Sequence, residues 1–74
     1  MTMTAKIVLQ SKVESGEDAD RVAALHFQAD YADDRNKEWA RWTPALGLTM
    51  TVKGSLADRL STGQKFLLTF SEER

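Results

Sequence analysis

The sequence predicts a mainly β domain: a small antiparallel sheet, or a compact barrel or sandwich, of about four strands with one short helix. Three observations carry this expectation. Apolar and polar residues alternate in four separate segments, which is the period of a half-buried strand. The connections between these segments are short and rich in turn-forming residues, which favours antiparallel neighbours. At 74 residues the chain has room for one core, so residues 1–74 are expected to form one domain.

In the first segment Ala5, Ile7, Leu9 and Val13 share one parity, against Lys6, Gln10, Lys12 and Glu14; Val8 is the exception. Ser15-Gly16-Glu17-Asp18-Ala19-Asp20 then ends the strand with turn-forming and acidic residues. The second segment places Leu25, Phe27, Ala29 and Tyr31 inward, and Ala24, His26, Gln28 and Asp30 outward. Two such strands joined by a short polar loop predict a hairpin. The third strand alternates Leu46, Leu48, Met50 and Val52 with Gly47, Thr49, Thr51 and Lys53. Threonine suits the outer side because its β-branch favours extended backbone.

The last strand sets Phe66, Leu68 and Phe70 against Lys65, Leu67, Thr69 and Ser71. Leu67 breaks the polar parity, so partial cover on both sides is expected there. Between the third and last strands, residues 54–63 predict one short helix. Ser55 is the expected N-cap, Leu56 and Leu60 would face the sheet together, and Gly63 can take the left-handed conformation that ends a helix.

Residues 33–44 fit neither strand nor a well-formed helix. Both tryptophans of the chain, Trp39 and Trp42, lie here. In a helical turn they would share one face, and Pro44 would force Thr43 into extended backbone ahead of the third strand. Exposed tryptophan beside arginine is the composition of an interface hot spot. Against this, large aromatics bury much area, so Trp42, beside Pro44 and the strand, is the better candidate to cap the open end of the sheet. Trp39 is balanced between the two roles. Arg41 can stack on either ring.

Composition narrows the function classes. There are no cysteines and one histidine, which excludes a disulfide framework, a Cys-based zinc site and a His-rich site. A chain this short buries only about 60% of its unfolded surface and is marginal alone, so oligomerisation or docking on a larger surface is expected. Ten Lys and Arg balance eleven Asp and Glu. The basic residues are spread along the chain rather than gathered to neutralise phosphates, so no nucleic-acid partner is expected. The N-terminal Met1-Thr2-Met3-Thr4 lacks the basic and apolar runs of a secretory signal, and no apolar stretch is long enough to span a bilayer. Synthesis in a reducing cytoplasm, with no membrane partner, is the simplest expectation.

No catalytic machinery, metal site or cofactor site is predicted. His26 falls on the outer parity without a partner motif for acid–base work. Asp30, Asp33 and Asp34 are interrupted by Tyr31, Ala32 and Arg35, and lack the alternating oxygens, central glycine and terminal glutamate of a calcium loop. Gly16, Gly47, Gly54 and Gly63 are scattered rather than gathered in a phosphate loop. Phe27, Tyr31, Phe66 and Phe70 sit on inward parities, which argues for core over a base-stacking platform.

Ala29-Asp30-Tyr31-Ala32-Asp33-Asp34-Arg35-Asn36-Lys37-Glu38-Trp39-Ala40 is followed by Thr43-Pro44-Ala45 and the alternating strand Leu46–Val52. This order, closed by Ala57-Asp58 through Gly63 to Phe66-Leu67-Leu68-Thr69-Phe70, resembles small uncharacterised proteins encoded by tailed bacteriophages of actinobacteria. The similarity covers about the last two thirds of the chain. It implies a virion or morphogenesis component made in the bacterial host cytoplasm, and it carries over no catalytic residue. Joined to the Trp-rich loop, it gives the expectation of a non-enzymatic minor capsid or decoration protein. The partner would be the major capsid protein or another copy of the chain, with each weak contact multiplied over the lattice. Exposed sheet edges would pair with a neighbour. Trp39, Arg41 and Trp42, with Arg35 and Lys37, are the expected protein-binding residues. The rival expectation is a small phage-encoded regulator or inhibitor that binds a host protein through the same loop.

Overall fold

The computed structural model describes residues 2–73; Met1 of the N-terminal stretch and Arg74 of the basic set lie outside the described residues. Four strands, β1 (Thr2–Ser15), β2 (Val22–Ala29), β3 (Gly47–Lys53) and β4 (Lys65–Ser71), form one antiparallel sheet in the order β3-β2-β1-β4. The first three strands follow one another across the sheet, and β4 returns to lie beside β1, which is a Greek-key order. The sheet curls into a half-barrel, with one short helix, α1 (Gly54–Ala57), in the returning connection. The mainly β fold expected from alternation is the fold observed.

The curl explains where the core sits. Small and medium side chains line the middle of the concave face: Ala5, Ile7 and Leu9 on β1, and Ala23, Leu25 and Phe27 on β2. The edge strands fold larger residues over them, and Leu48, Val52, Phe66 and Leu68 pack there half-buried. Phe27 and Phe66 meet edge to face across β1, with centroids 5.6 Å apart and ring planes at 86°. Each large apolar side chain fully buried in this way contributes about 1.5–3 kcal/mol.

Parity fails at one position for a definable reason. The register runs Leu9↔Phe27 and then Ser11↔His26, so Gln10 is an extra residue, a β-bulge. Beyond it the side-chain phase is inverted. Lys12 stands opposite Leu25 and Glu14 opposite Ala23, on the concave face, while Val13 swings to the convex face and is exposed. The inward assignment of Val13 is therefore corrected. Lys12 uses its new position, donating from Nζ to the carbonyls of Ala57 (2.9 Å) and Leu60 (3.0 Å) at the end of the helical turn.

Four other expectations are corrected. Strand β2 ends at Ala29, so Asp30 is buried in the following turn and Tyr31 is exposed rather than inward. Leu67, on the convex face, is largely exposed, at the edge of a cleft lined by Lys6, Asp30 and Lys65. Ser55 lies inside α1 rather than at its N-cap: the N-cap is Lys53, and the Gly54 amide donates to the Arg21 carbonyl at 2.8 Å. The backbone just ahead of β2 accepts the amide bond at the start of the helix. Leu56 and Leu60 do not face the sheet together: α1 stops at Ala57, Leu60 beyond it packs on the core, and Leu56 within it does not. Gly63 does take left-handed backbone (φ +89°), but in the turn into β4, where its amide donates to the Leu9 carbonyl at 2.8 Å.

A candidate docking loop

The segment between β2 and β3 is organised from its first residue. Asp30 Oδ1 accepts from the Ala32 amide at 3.2 Å, a side-chain mimic of a turn, and its Oδ2 lies 3.2 Å from Lys65 Nζ on β4. Asp33 then caps a 3-10 helix, Asp34–Glu38, with Oδ1 accepting from the Arg35 amide at 3.0 Å. The Arg35 guanidinium curls back onto the same carboxylate, Nε to Oδ1 at 2.9 Å and Nη2 to Oδ2 at 2.6 Å. These side-chain and backbone donors from Arg35 hold the Asp33 carboxyl down at about 2.

Asn36 fixes the segment to the sheet. It is completely buried, and all of its amide hydrogen-bonding groups are used. Its Oδ1 accepts from the Lys6 amide at 2.7 Å and from Trp39 Nε1 at 3.2 Å. Its Nδ2 donates to the carbonyls of Lys6 at 2.9 Å and Asp30 at 3.1 Å. Nothing in the sequence singled out Asn36. It sits among charged residues in a stretch without periodicity, and its role depends on the distant backbone of β1.

The two tryptophans part company here. The 3-10 helix stops at Glu38, so no helical face extends from residue 39 to residue 42. Trp39 turns back onto the core, half-buried, with its indole N–H on Asn36. Trp42 is 77% exposed. The expectation that Trp42 would cap the sheet while Trp39 stood balanced is corrected: the cap is Trp39. Arg41 lies over the Trp42 ring, its guanidinium carbon 5.1 Å from the centroid. At an exposed site such a stack is worth about 0.5–1 kcal/mol.

Of the five expected protein-binding residues, Arg41 and Trp42 form the protruding tip. Arg35 and Lys37 stand exposed on the flank, paired with Asp33 and Asp34 respectively. Trp39 belongs to the base. Beside the tip runs an open groove that includes Tyr31, Lys37, Trp42 and Pro44. A second cleft, at the foot of the loop, is lined by Lys6, Asp30, Asp33, Arg35 and Lys65, where opposite charges pair off.

His26 lies on the convex face with Nδ1 3.1 Å from Thr49 Oγ1 across the β2–β3 pair. Arg21 bridges the strand end to the helical connection, reaching both carboxylate oxygens of Asp58, with Glu14 Oε1 3.3 Å away. That partnership lowers the Asp58 carboxyl below its ordinary value, chiefly through the hydrogen bond from Arg21. Among the described residues, no group of three or more His, Asp or Glu side chains gathers to hold a metal, and no helix is long and apolar enough to cross a membrane. Comparison with protein-family models, curated proteins and solved structures finds no match to this chain.

Proposed function

We propose that this chain is a non-enzymatic protein-docking module that seats the Arg41–Trp42 tip in a partner surface. The observation that carries the proposal is the 77% exposure of Trp42 on a loop whose base is anchored by Asn36. An exposed tryptophan costs a soluble chain unfavourable apolar hydration and is the residue type most enriched at binding hot spots. Preorganisation supports the same reading: a tip held by a hydrogen-bonded base loses less conformational entropy on binding. Three of the four carboxylates of the loop are held in ion pairs, Asp33 with Arg35, Asp34 with Lys37 and Asp30 with Lys65, which shape the segment.

The resemblance to small tailed-phage proteins turns this module into a specific proposal: a minor capsid or decoration protein that docks on the capsid lattice. Quantitative mass spectrometry of purified particles of the encoding phage tests it. A copy number comparable to that of the major capsid protein is expected. A handful of copies would replace decoration with a connector or tail position. Absence from the particles would contradict the virion assignment and leave a host protein as the partner.

A further inference from the structure

The concave face of the half-barrel is covered only in part. The helix α1 packs on β2 and β3, but large apolar side chains remain open at both ends of the face: Leu56 at 47% and Met50 at 46% exposure on the helix side, and Phe70 at 44% at the far end of β1, where it pairs with Met3. The register shows that Met50 and Phe70 point to this face, since Met50 pairs with the buried Leu25, and Phe70 lies two residues beyond Leu68, which pairs with the buried Ala5. The half-buried Leu48, Val52, Phe66 and Leu68 show their outer sides to the same opening.

The whole molecule reports the same deficit. It measures 43 × 33 × 16 Å, little more than one sheet with its side chains. Its radius of gyration is 14.1 Å, where a compact chain of this length would have about 11 Å. Its accessible surface is 5623 Å², where a compact monomer of 8.3 kDa would expose roughly 4,600 Å². The surplus of roughly 1,000 Å² per chain matches the share one partner contributes to a standard stable interface, about 800 Å².

We infer that the concave face is a two-fold interface with a second copy of this chain, in which Met50, Leu56 and Phe70 of each copy close the other's half-barrel. Three features favour a second copy over a different protein. The large open side chains are apolar, as in permanent homodimer interfaces, and the charged residues on this face, Lys12 and Glu14, are engaged within the chain by the Ala57 and Leu60 carbonyls and by Arg21. The net charge is −1 per chain, so two copies meet with little repulsion. Among the described residues the large apolar side chains buried in the core are few: Ile7, Leu9, Leu25 and Phe27. A core that small needs its cover whenever the chain is folded, and another copy is the partner always present at synthesis. Edge-to-edge pairing through β3 or β4 would extend the sheet and leave the concave face in water. This interface is separate from the Trp42 tip and does not rest on the docking proposal.

Sedimentation of the purified chain over a wide concentration range tests the inference. The expected species has twice the 8.3 kDa chain mass, with a thermal midpoint that falls on dilution. The paired variant Met50→Glu/Phe70→Glu should lower the dimer fraction at least tenfold, or leave the chain unfolded. Leu67→Glu, on the convex face, should leave mass and midpoint unchanged. A wild-type chain that sediments as a folded monomer with a concentration-independent midpoint would overturn the inference. So would a dimer that Leu67→Glu disrupts and the concave pair does not.

Discussion

The side chain of Asn36 pairs with the backbone of Lys6 as a neighbouring strand would, accepting from its amide at 2.7 Å and donating to its carbonyl at 2.9 Å. Strand β2 leaves β1 after the Ile7↔Ala29 pair, and the Asp30 amide makes the last backbone bond to the Lys6 carbonyl. The Lys6 amide would then face the loop without a partner. A primary amide carries one acceptor and two donors in nearly the geometry of a peptide group, and Asn36 supplies both at this point.

Asn36→Leu should destabilise the fold by about 2–4 kcal/mol, because it strands the Lys6 amide and the Trp39 indole N–H. Asn36→Asp, although isosteric, should also destabilise: a carboxylate oxygen would face the carbonyls of Lys6 and Asp30. Urea unfolding of the two variants checks this, with a rescue by Asp counting against the donor role of Nδ2.

Trp39→Ala should cost about 2–3 kcal/mol, less than a fully buried tryptophan because its ring is half-buried. Trp42→Ala should change stability by less than about 0.5 kcal/mol. Fluorescence distinguishes the two rings in the native protein. Acrylamide should quench Trp42 readily and Trp39 poorly, and removing Trp42 should leave the more blue-shifted emission.

Mainly β class, strand number and antiparallel pairing, though not the curl into a half-barrel, were legible because alternation is a local signal, and the sides it assigns in β2 and β3 agree with the register. It failed at Val13, where a single bulged residue at Gln10 inverts the phase without any glycine to announce it. It failed again at Tyr31, because the end of a strand depends on where its neighbour stops. The loop between β2 and β3 was legible as a departure from pattern, but its internal roles were not. Whether Trp39 or Trp42 turned inward was decided by Asn36, whose partners lie thirty residues earlier in sequence.

Lys12→Met should destabilise by about 1–2 kcal/mol, since it removes the ammonium that satisfies the Ala57 and Leu60 carbonyls. The effect should be local. Hydrogen exchange should accelerate at the Asp58 and Leu60 amides in the helical connection, while the β1–β2 amides keep their protection.

Asp33 ionises near 2 in the folded chain, against an ordinary value of 3.8. Folding therefore favours its carboxylate. Its contribution is fully present above about 3.8 and is lost as pH falls through about 2. Asp58 shifts in the same direction because of Arg21, so acid should weaken both the loop and the helical connection. Unfolding midpoints measured from pH 5 to pH 2 should fall less steeply for Asp33→Asn than for the wild type. Parallel curves would show that the Arg35 partnership adds nothing to stability.

The proposed docking through the Arg41–Trp42 tip is tested most directly by co-sedimentation of purified chain with capsid particles of a tailed phage that carries its gene, comparing wild type with Trp42→Ala. Truncating a hot-spot tryptophan costs about 2 kcal/mol or more, so the variant should bind about 30-fold more weakly while unfolding at the wild-type urea midpoint. Equal binding by the two proteins, or no binding by the wild type, would contradict it.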